Sequence, residues 1–90
     1  MYKLTERGAD ALGEQTSDGF LVKARSRFAY SANALRKQPY LFALRLFLYA
    51  EHIVTEDDIL TVDYTFHDAR IAASIIAGTE GNADMWQEIP

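Results

Sequence analysis

The chain has 90 residues, of which 49% are hydrophobic and 24% charged, and its formal net charge is −4. This length corresponds to one domain that buries only about 60 to 65% of its unfolded surface, so a partner or second subunit would add stability. The absence of cysteine excludes disulfide bonds and thiolate metal sites, and it suits the reducing cytoplasm.

The N-terminal segment predicts a short helix followed by a loop. Thr5 and Glu6 resemble a capped helix start, and the helix would end near Gly13. The first residues lack the apolar run of a signal peptide, so we do not expect export by the general secretory route.

Residues 20–37 show a helical repeat. Apolar side chains recur there at steps of three and four, as they do on one face of an α-helix. These residues are Leu21, Ala24, Phe28, Ala32 and Leu35. The opposite face of the predicted helix would be basic and would also carry a tyrosine. Its members are Lys23, Arg25, Arg27, Tyr30, Arg36 and Lys37.

The segment from Pro39 to His52 predicts a second long helix that is apolar nearly all round. Proline is tolerated in a first helical turn. Ten of the eleven residues from Tyr40 to Ala50 are apolar, but this run is too short to span a membrane and is interrupted by Arg45. A small domain has little protein with which to cover such a helix, so we expect it to contact another chain.

Two shorter helices are predicted in the C-terminal half. Thr55 and the acidic residues after it resemble an N-cap with an acidic first turn, and Thr65 with Asp68 has the spacing of a capping box. Gly78 would end the second of these helices in the left-handed conformation. Residues 60–66 alternate apolar and polar, so a short strand is the alternative there.

Together these patterns predict an all-α fold, a small bundle of four or five helices. Residues 1–78 would form a single helical domain. Residues 79–90 have no clear period and would form a mobile acidic tail, although Met85 and Trp86 could dock as a short linear motif.

Charge is distributed unevenly along the chain. Residues 19–50 contain six basic residues and no acidic one, whereas residues 51–90 contain nine acidic residues and only Arg70 as a base. Opposed blocks of charge constrain the choice of partner more than the fold. The blocks could pair with each other within one subunit or between two.

No pattern typical of catalysis is present. The serines lack a nucleophile-elbow setting, and the five glycines do not form a phosphate-binding loop. Asp63 and His67 have a spacing that a metal pair could use, but the repeated Glu-x-x-His motif of helical di-iron sites is missing. We therefore expect no enzymatic activity, no cofactor and no bound metal.

The resulting interpretation is a cytoplasmic protein-binding module, acting as an adaptor, regulator or inhibitor, that self-associates as a homodimer and does not bind membranes. Its candidate partner-binding residues lie on the apolar helix and in the acidic segment that follows. They are Tyr40, Phe42, Phe47, Tyr49, Asp57 and Asp58. The alternative is a nucleic-acid-binding protein that uses the basic face of the helix at residues 20–37.

Overall fold

The computed structural model describes residues 1–90 and contains a five-stranded antiparallel sheet with two α-helices. The strands, in the spatial order β4-β3-β2-β1-β5, are β1 (Tyr2–Leu4), β2 (Ala11–Thr16), β3 (Gly19–Val22), β4 (Tyr64–Phe66) and β5 (Gln87–Glu88). The α-helices are α1 (Pro39–Ala50) and α2 (Ala69–Ala77), and two 3₁₀ helices span Asn33–Lys37 and Ala83–Met85. No helix has the length and apolar character that crossing a bilayer requires.

One face of the sheet carries the hydrophobic core. Phe20 of β3 is paired in register with Phe66 of β4, and both side chains are 2% exposed. The ring of Trp86, which precedes β5, lies 4.6 Å from the Phe20 ring, centroid to centroid. The core therefore joins strands from both ends of the chain, and α2 packs against it from above the sheet.

Both ends of α2 are set by local sequence. The Asp68 side chain accepts a hydrogen bond from the backbone N–H of Ile71 at 2.8 Å, which makes Asp68 the N-cap. Gly78 ends the helix with φ +71°, so the predicted left-handed glycine is confirmed. The predicted capping box is wrong at its first residue, because Thr65 belongs to β4.

The prediction of an all-α bundle is wrong, chiefly at residues 20–37. This segment forms β3, then an irregular connection that reverses at Arg25 with φ +77°, and then the 3₁₀ helix Asn33–Lys37. Phe28 and Leu35 are buried as predicted, but they reach the core from irregular chain and from a 3₁₀ helix. Apolar spacing alone therefore mimicked a helical face that the backbone does not form.

The predicted helix near residues 5–12 is also wrong. Arg7 (φ +55°) and Gly8 (φ +88°) turn the chain between β1 and β2, whose residues pair in an antiparallel register. A left-handed pair of this kind is incompatible with a continuing α-helix.

The segment after α1 makes a turn in place of the helix predicted from residue 55. The Thr55 hydroxyl oxygen accepts from the N–H groups of Asp57 and Ile59, but the backbone then reverses at Asp58 with φ +69°. The strand alternative at residues 60–66 is confirmed in its last three residues, which form β4. That strand had no evident partner in sequence because β3 was assigned to a helix.

Two further predictions concern the long helix from Pro39 and the tail at residues 79–90. The predicted long helix beginning at Pro39 is confirmed as α1, which ends at Ala50. Residues 79–90, expected to be a mobile tail outside a domain of residues 1–78, lie within the same fold: β5 pairs with β1, and Trp86 is 6% exposed and donates from Nε1 to the Ala69 carbonyl at 3.0 Å.

Replacing Gly78 with alanine should destabilise the fold strongly. A Cβ atom at this position would meet the Ser31 carbonyl oxygen and would occupy a left-handed backbone, so we expect a loss of about 2 to 4 kcal/mol in the free energy of unfolding. Gly8→Ala is the matched control, because Gly8 also has positive φ but no heavy atom within 4 Å of the added Cβ. Urea denaturation of both variants measures the difference, and equal losses would contradict the role of the Ser31 contact.

Candidate partner-binding face

The helix α1 has two sides of opposite environment. Leu41, Arg45 and Leu48 form its inner stripe, and each is at most 4% exposed. The opposite side carries no charged residue, and its one polar side-chain group is a tyrosine hydroxyl. We call this side the outer face of α1, and it consists of Pro39, Tyr40, Ala43, Leu46, Phe47 and Ala50, all of which are exposed.

The outer face exposes large apolar side chains to water. Tyr40 is 74% exposed, Leu46 53% and Phe47 49%. Single exposed apolar residues are common on protein surfaces, but a contiguous apolar patch is typical of an interaction site. The helix places these three side chains within little more than two turns, so they form one surface.

A buried arginine fixes the inner stripe to the rest of the molecule. Arg45 donates from Nη1 to the Ile75 carbonyl at 2.5 Å and from Nη2 to the Ala29 carbonyl. The last carbonyls of α2 have no partner inside the helix, and a cation is favoured at this end of the helix dipole. Arg7 binds the carbonyl of the last residue of α2, donating from Nε to Ala77 at 3.0 Å. Two guanidinium groups thus cap α2.

The buried guanidinium of Arg45 is linked to the Asp58 carboxylate through the hydroxyl of Tyr49. Arg45 Nη2 donates to the Tyr49 hydroxyl oxygen at 3.0 Å, and that hydroxyl donates to Asp58 Oδ1 at 2.7 Å. Burial lowers the pKa of Arg45 below its usual value, and Tyr49 and Asp58 oppose that shift. Burial also raises the pKa of Tyr49 well above its usual value, and the hydrogen bond to Asp58 adds to the increase. Hydrogen bonds within the domain therefore engage both terminal nitrogens of Arg45, the Tyr49 hydroxyl and one carboxylate oxygen of Asp58.

An open cavity of about 290 Å³ extends the apolar surface beyond the outer face. Phe42, Leu46 and Tyr49 form one wall, and Tyr30, which is 90% exposed, stands on the other side. The guanidinium of Arg36 lies 5.1 Å from the centroid of the Phe42 ring, a cation–π distance. The cavity is therefore lined mainly by apolar side chains, with Arg45 and Asp58 also in its lining and the positive charge of Arg36 beside Phe42.

Charged side chains lie at the two ends of α1 and not along its outer face. Arg36 and Lys37, both exposed, end the 3₁₀ helix that precedes α1, and Glu51 is exposed directly after the last helical residue. The apolar surface is thus bounded by positive charge at its N-terminal end and by negative charge at its C-terminal end.

The predicted partner-binding residues divide between the outer face and its surroundings. Tyr40 and Phe47 lie on the outer face. Asp57 is exposed in the turn after α1. The other three line the neighbouring cavity and are Phe42, Tyr49 and Asp58.

The six residues of the nucleic-acid alternative lie on the connection between β3 and α1, and they do not share one helical face. The Lys23 ammonium is 3.7 Å from the Asp63 carboxylate and is half-buried. Tyr30 stands beside the cavity, with Arg36 and Lys37 on the 3₁₀ helix. The remaining two are exposed in the preceding turn and extended segment and are Arg25 and Arg27.

The spacing of Asp63 and His67 does not correspond to a metal site in the structure. Asp63 accepts a hydrogen bond from the Ala24 N–H at 2.8 Å and pairs with Lys23, so its carboxylate fastens the start of the β3 to α1 connection. No cluster of three or more metal-ligating side chains is formed.

Sequence reasoning missed the role of Arg45. It treated this arginine as an interruption of an apolar run, whereas the arginine is the anchor of the helix. A single charge in the centre of an otherwise apolar helix was the available signal, because such a charge is stable only where buried acceptors surround it.

The fold and this surface define a small α+β domain with an uncovered apolar helix face. A family model described as Domain of unknown function (DUF4357) matches residues 2–89, and the chain belongs to that family. No curated protein matches the chain, and no solved structure does.

Replacing Arg45 with methionine should cost more stability than removing the Tyr49 hydroxyl. Arg45→Met keeps the volume but leaves the Ala29 and Ile75 carbonyls without their donor, and we expect a loss of about 2 to 4 kcal/mol in the free energy of unfolding. Tyr49→Phe removes two hydrogen bonds but keeps the ring, and we expect about 1 to 2 kcal/mol.

The pH dependence provides a second measurement of the same network. Because the folded state raises the pKa of Tyr49, the stability from its protonated hydroxyl is fully present below about pH 10 and declines as the pH rises further. Urea midpoints measured from pH 7 to pH 11 should therefore fall more for the native chain than for Tyr49→Phe. An equal decrease of the urea midpoint with pH in both proteins would contradict the buried hydrogen bond of Tyr49.

Proposed function

We propose that this domain is a protein-binding module whose contact surface is the outer face of α1. One observation carries the proposal: a helix of 12 residues is held on one side by a buried cation and exposes apolar side chains on the other. The proposal includes a non-catalytic role as an adaptor, regulator or inhibitor, and a cytoplasmic location as expected from the cysteine-free sequence.

The energetics of the outer face support binding. Covering a fully exposed aromatic or leucine side chain contributes about 1.5 to 3 kcal/mol, and the side chains of Tyr40, Leu46 and Phe47 still have about half or more of this area to bury. Aromatic residues are also enriched among those that dominate binding energy at interfaces.

The anchoring of α1 lowers the cost of association. Arg45 ties the helix to α2 and, through the Ala29 carbonyl, to the β3 to α1 connection, so the outer face is ordered before a partner arrives. A preorganised surface loses less conformational entropy on binding. The charges at the two ends of α1 would orient the partner along the helix.

The test replaces one central side chain of the outer face. Phe47→Glu puts a charge into the apolar surface. The tagged native chain and the tagged variant are each used to capture proteins from a lysate of the source organism, and the captured proteins are quantified by mass spectrometry. We expect proteins that bind the native chain to be missing from the Phe47→Glu sample. Val62→Glu is the matched control, because Val62 is 52% exposed and lies outside α1.

Retention of the same proteins by Phe47→Glu would contradict this contact surface. Circular dichroism and urea denaturation of both glutamate variants verify that each remains folded. Loss of the same proteins with Val62→Glu would also count against the proposal, because the effect would then not depend on α1.

A second candidate function is binding of single-stranded nucleic acid around Tyr30. One observation favours it: Tyr30 is 90% exposed and lies on the same connection as exposed arginines and an exposed lysine. An exposed aromatic ring can stack on a base while cations contact phosphates.

Fluorescence anisotropy with labelled single-stranded DNA and RNA tests this candidate. If phosphates are contacted, raising the salt concentration from about 50 to about 200 mM should weaken binding several-fold or more. Tyr30→Ala should weaken binding roughly five-fold or more, because it removes the ring on which a base stacks. Tyr40→Ala serves as the control for an exposed tyrosine on the outer face of α1. Absence of binding at the lower salt concentration would eliminate this candidate.

A further inference from the structure

The outer face of α1 has the spacing of a helix-pairing seam. Tyr40, Ala43, Phe47 and Ala50 follow one another at steps of three, four and three residues. This is the spacing at which two helices pack side by side along a common line. Large and small side chains alternate along that line, so it is a row of protrusions and gaps.

The row is complementary to itself in one orientation. Tyr40 and Ala50 lie five residues on either side of Arg45, and Ala43 and Phe47 lie two residues on either side. If a second copy of α1 is placed antiparallel about a two-fold axis at the level of Arg45, residues equidistant from Arg45 face each other. Each large ring then lies over a small side chain: Tyr40 faces the partner's Ala50, and Phe47 faces the partner's Ala43. In a parallel pair, ring would meet ring and methyl would meet methyl.

The charges at the ends of α1 favour the same orientation. An antiparallel pair places exposed Arg36 and Lys37 of one copy beside the partner's Glu51, and the two-fold axis repeats the contact at the other end. A parallel pair would bring like charges together at both ends. The antiparallel arrangement also opposes the two helix dipoles.

We propose, on the basis of the protein-binding function above, that the partner is a second copy of this chain, packed through antiparallel α1 helices. The seam is small. Twelve residues make a helix about 18 Å long and about 10 Å wide. Such a surface is below the area of about 800 Å² per partner that is usual for stable complexes. The dimer is therefore weak, with a dissociation constant on the order of micromolar to hundreds of micromolar.

Charge reversal at the two ends of the seam tests both the partner and the orientation. Sedimentation equilibrium of the full chain at low salt, from about 5 to about 500 µM, gives the dissociation constant of the dimer. Lys37→Glu and Glu51→Lys should each weaken the dimer about three-fold to ten-fold, because each places like charges at both symmetric contacts. The variant carrying both substitutions should form a tighter dimer than either single variant, because residues 37 and 51 again carry opposite charges, while the unchanged Arg36 keeps its affinity below the native value.

Both residues are exposed, and each reversal also complements the dipole of α1, so unfolding of the domain would not explain a weaker dimer. In addition, Phe47→Glu should abolish the dimer, whereas Val62→Glu should leave its dissociation constant unchanged.

The outcomes separate this inference from the proposed function. A native chain that stays monomeric over the whole concentration range overturns the second copy as partner, while a Phe47-dependent set of captured proteins would still support protein binding. A dimer that is no tighter in the double reversal than in the single variants overturns the antiparallel arrangement. A dimer insensitive to Phe47→Glu, together with unchanged protein capture, overturns both proposals.

Discussion

The arrangement of this domain depends on how the carbonyl groups at the end of α2 are satisfied. A helix that ends inside a protein leaves acceptors without partners, and leaving them so would cost free energy comparable to that of lost hydrogen bonds. Here two arginines supply donors for two of these acceptors, Arg45 from α1 to Ile75 and Arg7 from the turn after β1 to Ala77. The Ala29 N–H donates to the Ile76 carbonyl between them at 2.8 Å. The same contacts fix both segments to α2, so the end of one short helix determines the position of the other helix and of the first turn of the chain.

The exposed character of α1 follows from that anchoring. Because Arg45 must reach the carbonyls of α2, the side of the helix that bears it faces inward, and the side that bears Phe47 faces outward. The inner stripe is narrow, and the domain has no further element to place over the opposite side. The outer face is thus apolar because α1 is apolar nearly all round, Arg45 fixes which side faces inward, and the small fold leaves the other side uncovered.

Some elements of this structure could be predicted from sequence, and the reasons for the failures are specific. The helix starting at Pro39 and the glycine end at Gly78 were predicted, because each has a local signal that tertiary structure does not override. The sheet was not predicted, because β1 has three residues and β5 has two, too few to show alternation. The alternation at residues 60–66 did indicate a strand, but it had no evident partner once β3 was assigned to a helix. The apolar exterior of α1 was inferred from composition. Its anchor could not be inferred, because Arg45 binds the Ala29 and Ile75 carbonyls, which only the folded chain brings together.

The pairing of β5 with β1 has a consequence for how the chain acquires its structure. Tyr2 is in register with Glu88, and the Ile89 N–H donates to the Met1 carbonyl at 3.0 Å, so the first strand has one of its two neighbours at the far end of the sequence. Contacts this distant in sequence close late and slow folding. During synthesis, Phe20 also lacks its Trp86 neighbour until the segment after α2 has been made. The sheet can therefore be completed only after translation of the domain has finished, and until then one edge of β1 is free to pair with other chains.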